Sequence, residues 1–144
     1  MCYNQAVQGP NRFQRTREDH SREIAEDYVE MIDALIAEKG EARTVDLADR
    51  LGVSHVTVSK TMRRLKRERL VEAEPYRAIF LTESGLKLAA AARERHRLVV
   101  DFLLALGVAP DSAESDAEGI EHHVSRDTLR AMEAFLQARK TPGL

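Results

Sequence analysis

Sulfur and long apolar runs are both scarce in this chain, and each shortage excludes a class of protein. One cysteine, Cys2, stands among 144 residues. No disulfide framework can form, and a reducing, cytoplasmic location is expected. No run of 18 apolar residues occurs, which excludes a membrane-spanning helix. The opening stretch, MCYNQAVQGPNRFQRTRE, lacks the apolar segment of a secretory signal. An excess of positive charge is missing too: 22 Lys and Arg face 24 Asp and Glu, so the whole composition does not mark a nucleic-acid binder. There is no P-loop and no glycine-rich nucleotide fingerprint. Arg93, Gly119 and Ile120 stand three residues before His96, His122 and His123, where a di-metal carboxylate oxidase in a helical bundle would place glutamates. No enzymatic activity, organic substrate or membrane partner is therefore expected. What remains is a globular composition, 43% hydrophobic and 32% charged, long enough for one domain or two small modules sharing a core.

Residues 1–17 show no periodicity, contain Gly9-Pro10 and carry Arg12, Arg15 and Arg17; they read as a flexible basic arm. From about 18 to 39, Ile24, Tyr28, Met31, Ile32, Leu35 and Ile36 recur at spacings of three and four, one apolar helical stripe that stops at Gly40. Two short helices follow, 45–51 with Thr44 as cap and about 55–68 with Ser54 as cap. VEAEPYRAIFLT reads as a small hairpin turning near Tyr76-Arg77. Thr82 caps a long helix to Leu106, Pro110 opens another to about 123, and Ser125 caps a last one to about 139. The expected fold is mainly α: a winged helix-turn-helix over 18–82, then an all-helical module over 83–140.

TVDLADRLGVSHVTVSKTMR, residues 44–63, meets the demands of a helix-turn-helix. Ala48 is small where the helices cross, Gly52 tolerates the turn, and Val58, Met62 and Leu65 form the buried stripe of the second helix. The opposite face carries Val56, Thr57, Lys60, Arg63, Arg64 and Arg67. Such a face enters a major groove, or it is the solvated side of a plain helical hairpin. Two features favour DNA. Residues 43–70 hold eight basic side chains against three acidic ones, and phosphate attraction is local. The hairpin also supplies a wing. The expected DNA-contacting set is Arg43, Thr44, Ser54, His55, Val56, Thr57, Lys60, Arg63, Arg64, Tyr76 and Arg77.

The stretch DAEGIEHH, residues 116–123, crowds three acids and two histidines together without Lys or Arg. Glu118, Glu121 and His122 lie at i, i+3 and i+4, one helical face, with His123 turned away. Such a patch is either a solvated surface or a cation site. Asp27 and Glu30 flank the stripe of the first helix, and His96 shares a line with Leu88, Ala92, Val99 and Leu103. A solvated edge and a hydrogen-bonded core histidine are the plain readings of these two. Taken together, carboxylates near buried seams need partners or protons, and a cation would serve.

With EDYVE, LGVSHVTVSKTMRRL, RERHRLVVDFLLALGV and DAEGIEHHVS, the chain resembles the diphtheria-toxin-repressor family from about residue 20 to 138, most closely its manganese-transport-regulator branch. The resemblance implies that Asp27, Glu30, His96, Glu118, Glu121 and His122 are metal ligands, for a pair of ions with bridging carboxylates. It implies a homodimer that binds palindromic double-stranded operator DNA and represses genes of manganese homeostasis or transport. Iron- and cobalt-responsive relatives tend to place Met or Cys where Asp27 and Glu118 stand. All six candidates here offer oxygen or imidazole nitrogen, which suits Mn(II); Fe(II), Zn(II), Co(II) or Cd(II) are possible substitutes. By the same resemblance the chain ends before the extra domain of iron-responsive relatives, and its N-terminal arm is absent from shorter members. An iron-responsive repressor, and a metal-independent winged-helix regulator sensing an organic ligand, are the alternative readings.

Overall fold

A computed structural model describes residues 11–140. In chain order they form α1 (Asn11–Lys39), α2 (Thr44–Leu51), α3 (His55–Arg67), β1 (Val71–Glu72), β2 (Phe80–Leu81), α4 (Glu83–Ala105), α5 (Pro110–Ile120) and α6 (Arg126–Lys140). This is the expected mainly helical fold, a winged helix-turn-helix followed by a helical module.

The apolar stripe of α1 buries Tyr28, Ile32 and Leu35, and Gly40, at φ 84°, takes the left-handed conformation that ends the helix. The helix begins earlier than its periodicity implied. Residues 11–17, read as arm, are its first turns. They contain neither glycine nor proline, and Gln14 Nε2 donates to Glu18 Oε1 at 3.0 Å, one turn along. Residues 1–10 of that arm, with Cys2, lie outside the described residues.

α2 and α3 form the helix-turn-helix around the residues expected to build it. Ala48 and Val58 are buried at the crossing, and Gly52 has φ 66°. Ser54 caps α3, accepting from Thr57 N at 3.1 Å. The cap of α2 differs from expectation: Thr44 is already helical. Arg43 takes the cap position, its backbone N donating to Asp46 Oδ2 at 3.2 Å. An acid three residues into the helix supplies the acceptor.

The wing pairs Val71 with Leu81 and Glu72 with Phe80, antiparallel. Ile79 N also donates to Ala42 O at 2.7 Å, which ties the wing back to the segment between α1 and α2. Tyr76, at φ 62°, sits fully exposed at the tip.

α4 joins the two modules. Thr82 caps it, accepting from Gly85 N at 3.1 Å while its hydroxyl donates to Arg69 O at 2.6 Å. Its body packs on α1, α5 and α6. One core gathers Leu35, Leu47, Val58, Leu65 and Ile79; a smaller one gathers Val99, Val100, Ala113 and Ala117. α5 stops at Ile120, before the expected 123, so Glu121, His122 and His123 form a turn. α6 has no buried residue. Phe135, Leu104 and Leu106 stay exposed, with Phe135 edge-on to Phe102 at 5.4 Å.

Gly85 marks the tightest junction between wing and α4. A Cβ there would lie 2.1 Å from the carbonyl oxygen of Leu70, too close for any rotamer change to relieve. Gly85→Ala is expected to cost about 1–3 kcal/mol through overpacking, read as a lower thermal midpoint in circular dichroism.

Candidate metal centre and nucleic-acid interface

Three elements meet at the seam between the modules, and each brings carboxylates or imidazoles. α1 presents Glu23, Asp27 and Glu30 at i, i+4 and i+7, one helical face. α4 presents His96 from its packed side. The end of α5 and its following turn present Glu118, Glu121 and His122. Glu121 and His122 are 1% and 3% exposed. Six of these side chains fall into two groups whose candidate ligand atoms lie within 4.8 Å of one another, Glu23, Asp27 and His122, and His96, Glu118 and Glu121; Glu30 is in neither group.

Glu121 links the two groups. Its Oε1 lies 3.3 Å from His122 Nε2, and its Oε2 lies 3.5 Å from His96 Nδ1. His122 Nε2 also lies 3.2 Å from Asp27 Oδ1, and His96 Nδ1 lies 3.6 Å from Glu118 Oε1. Glu30 is electrostatically coupled to Glu118, His122 and Asp27, hence to both groups. The structure thus brings five of the six expected side chains, Asp27, His96, Glu118, Glu121 and His122, into mutual contact, with Glu30 near enough to interact electrostatically. Because α5 ends at Ile120, a turn rather than one continuous helical face presents Glu121 and His122.

Sequence reasoning missed a supporting set. His122 Nδ1 lies 2.6 Å from Glu26 Oε2, and Glu26 is 1% exposed. Arg95 of α4 pairs with the same oxygen at 2.6 Å, so an arginine does reach the acidic seam, contrary to the impression left by the isolated segments. His96 Nε2 lies 2.8 Å from Glu114 Oε2. Each histidine therefore has a carboxylate on its outer nitrogen, which orients the ring and directs the inner nitrogen into the seam. Glu26 is buried off the apolar stripe of α1, one turn before buried Val29, and the sequence pattern gave no signal for it. Glu114 and Arg95 gave none without the packing of α4 on α5.

The charges are unbalanced. Burial pushes the Glu121 carboxyl up to about 7, with Glu30 and Glu118 adding to the rise and His122 and His96 opposing it. Burial opposes the charge on His122, but hydrogen bonds to Asp27 and Glu26 prevail and push it up to about 10. Burial, then Glu118, raises Glu30. Burial also disfavours ionised Glu26, yet His122 and Arg95 hold it below the ordinary carboxylate value. Among the described residues, His96 Nδ1 and Glu121 Oε2 are buried without a hydrogen-bond partner. Two unsatisfied electron-pair donors facing each other 3.5 Å apart fit a cation. With four carboxylates, two imidazoles and no sulfur, the expected ligand set is one for a hard divalent ion.

The other candidate surface is the face of α3 and the cleft between it and the wing. Val56, Thr57, Lys60 and Arg63 are exposed on α3. Arg43, Thr44, His55, Arg63, Tyr76 and Arg77 line the cleft. Arg43 also pairs with Glu41 at 3.0 Å, and Ser54 serves as the cap of α3. Arg64 is placed otherwise than helical rotation implied. It is half-buried, and its guanidinium donates to Ser21 O of α1 at 2.8 Å, pinning α3 to the helix that carries Asp27. A long side chain at the edge of the exposed arc reaches across to the neighbouring helix.

Fold and seam are those of a winged helix-turn-helix protein of two modules, with acids and histidines that could hold a cation where the modules meet. Residues 21–79 match the iron dependent repressor N-terminal DNA binding domain, and residues 82–142 match the iron dependent repressor metal binding and dimerisation domain. The chain belongs to the iron dependent repressor family. It is 55% identical over 125 residues to the transcriptional regulator MntR of Escherichia coli O157:H7, covering 87% of this chain and 81% of that one. It is 40% identical over 104 residues to the HTH-type transcriptional regulator MntR of Listeria monocytogenes EGD-e, covering 72% and 73%. A solved manganese-dependent transcriptional repressor in complex with manganese superposes with a TM-score of 0.68 at 36% identity, over 78% of this chain. The present chain spans about half of that structure, 52% of its length. No helix among the described residues is long and apolar enough to cross a membrane.

Protons stand in for a cation when none is bound, and this has a pH signature. The raised values of Glu121 and His122 mean that the folded, metal-free chain binds more protons than the unfolded one, so stability falls as pH rises. The His122 contribution is complete below its ordinary value of 6.5 and is lost through about 10. Chelator-treated protein is expected to melt at progressively lower temperature across that window, followed by circular dichroism.

Proposed function

We propose that this chain is a manganese-responsive transcriptional repressor in which a cation site couples the position of the helix-turn-helix to the helical module. The observation that carries the reading is Glu121: almost fully buried, it directs one oxygen to each of two histidines at the seam where α1 meets α4 and α5. In this reading His96, Glu118 and Glu121 hold one ion, and Asp27 and His122 hold a second. Glu121, which faces both histidines, would serve both ions, and Glu30 would complete the set. A bound cation supplies charge neutralisation to this crowded set. Mn(II) suits the oxygen-rich donors; Fe(II), Co(II), Zn(II) and Cd(II) can occupy such sites, so selectivity rests on coordination number and availability.

The chain's own residues do the coupling. Asp27 and Glu30 lie on α1, whose apolar face is part of the DNA-binding core, and Arg64 ties α3 to Ser21 of the same helix. Left uncompensated, Asp27, Glu30, Glu118 and Glu121 repel across the seam and loosen α1 from the turn after α5. Held together, they fix α3 relative to the exposed apolar surface of α4 and α6, the face suited to a second copy. A dimer built there presents two α3 helices to a palindromic operator, with half-sites one DNA turn, roughly 34 Å, apart. Lys60, Arg63 and Arg77 meet phosphate or base edges, while Val56 and Thr57 lie at the groove-entering end. Coupling of this kind is reciprocal: operator DNA should tighten metal binding as metal tightens operator binding. Genes for manganese transport are the proposed targets.

The test is fluorescence anisotropy of DNA from upstream of the protein's own gene and neighbouring transporter genes, titrated with chelator, Mn(II), Fe(II), Zn(II) or Mg(II). Tight binding with Mn(II) and none with chelator is expected; equal binding in both would contradict the reading and favour an organic effector. His96→Ala should abolish the metal response. Lys60→Ala should keep metal affinity while weakening DNA binding and lowering the salt slope by about one unit per protomer.

A further inference from the structure

We infer that Glu23, outside the six expected ligands, is a further ligand of the cation held at Asp27 and His122, oriented by His123 and His20. This rests on the two-cation reading above and extends it. Glu23 stands one turn before Asp27 on the same face of α1, and its carboxylate falls in one group with Asp27 and His122, ligand atoms within 4.8 Å. Both neighbouring imidazoles lie on the same oxygen, Oε2: His123 Nε2 at 3.3 Å and His20 Nδ1 at 3.6 Å.

The group is more than an acidic patch. His122 is buried, Glu26 holds its Nδ1 at 2.6 Å, and its Nε2 faces Asp27 at 3.2 Å. The same Nε2 faces Glu121 Oε1 at 3.3 Å, so this buried carboxylate borders the group. An oriented imidazole nitrogen, a half-exposed aspartate and a carboxylate steadied from outside thus bring three candidate ligand atoms together at the solvent margin of the seam. His123 also acquires a purpose here. It meets α1 through Glu23 at 3.3 Å and so draws the turn after α5 onto that helix.

Mn(II) titration of the full chain by calorimetry, with 113Cd NMR of the cadmium-loaded protein, tests the assignment. The unaltered chain is expected to bind two ions and to give two cadmium resonances. Glu23→Gln, which keeps size and a hydrogen-bond acceptor, should weaken one Mn(II) ion about tenfold or more and leave the other unchanged. It should also shift one of the two resonances, while the metal-free melting temperature stays as it was. His123→Ala should weaken the same ion by a smaller factor. Two ions retained at unaltered affinity in Glu23→Gln would overturn the assignment. So would weaker binding with both resonances unmoved, which would make Glu23 an indirect support. A single ion in the unaltered chain would overturn the two-cation reading itself.

Discussion

A carboxylate that cannot be solvated governs this molecule. Glu121 is 1% exposed, lies beside two histidines and is coupled to Glu30 and Glu118. Taking such a group out of water is unfavourable unless a proton, a cation or a donor meets it. The chain surrounds it with imidazoles whose outer nitrogens face Glu26 and Glu114, so their inner nitrogens are directed at the same space. The seam is therefore polar, confined and short of positive charge, in a protein whose flanking cores are ordinary aliphatic packing. Arg95 meets part of the deficit from the side, on Glu26, and leaves the centre unmet.

The position of that deficit matters as much as its chemistry. α1 is shared property: its apolar side belongs to the core with Leu47, Val58 and Leu65, and its acidic side belongs to the seam. Arg64 fastens α3 to the backbone of α1, and Ile79 fastens the wing to Ala42 just beyond it. In the proposed reading, a change in how α1 sits against α4 would be carried to α3 and the wing together. The small second core, built from Val99, Val100, Ala113 and Ala117, is modest, and α6 buries no residue within the single chain. Such a module leaves its apolar surface for another copy, in keeping with the metal binding and dimerisation domain it matches.

Much of this was legible in the sequence, and the parts that were not share a physical cause. Periodicity located the helices, and three expected caps, Ser54, Thr82 and Ser125, satisfy backbone donors through local bonds that spacing reveals; the cap of α2 fell to Arg43 instead of Thr44. The helix-turn-helix was legible for the same reason, Gly52 and Val58 being required by local geometry. Boundaries failed where local preference was neutral: α1 continues back to Asn11, and α5 stops short of Glu121. The six expected ligands were named through family resemblance and spacing, and the fold brings Asp27, His96, Glu118, Glu121 and His122 into two neighbouring groups. Glu26, Arg95, Glu114 and Glu23 act across helices far apart in sequence, and Arg64 reaches Ser21 over 43 positions. No local pattern encodes such partnerships.

The most direct measurement is X-ray diffraction at the manganese absorption edge from crystals grown with Mn(II). Anomalous peaks between α1, His96 and the Glu118–His122 segment, within bonding distance of Glu121, are the predicted result. Peaks confined to other surfaces, or none at this seam, would contradict the account.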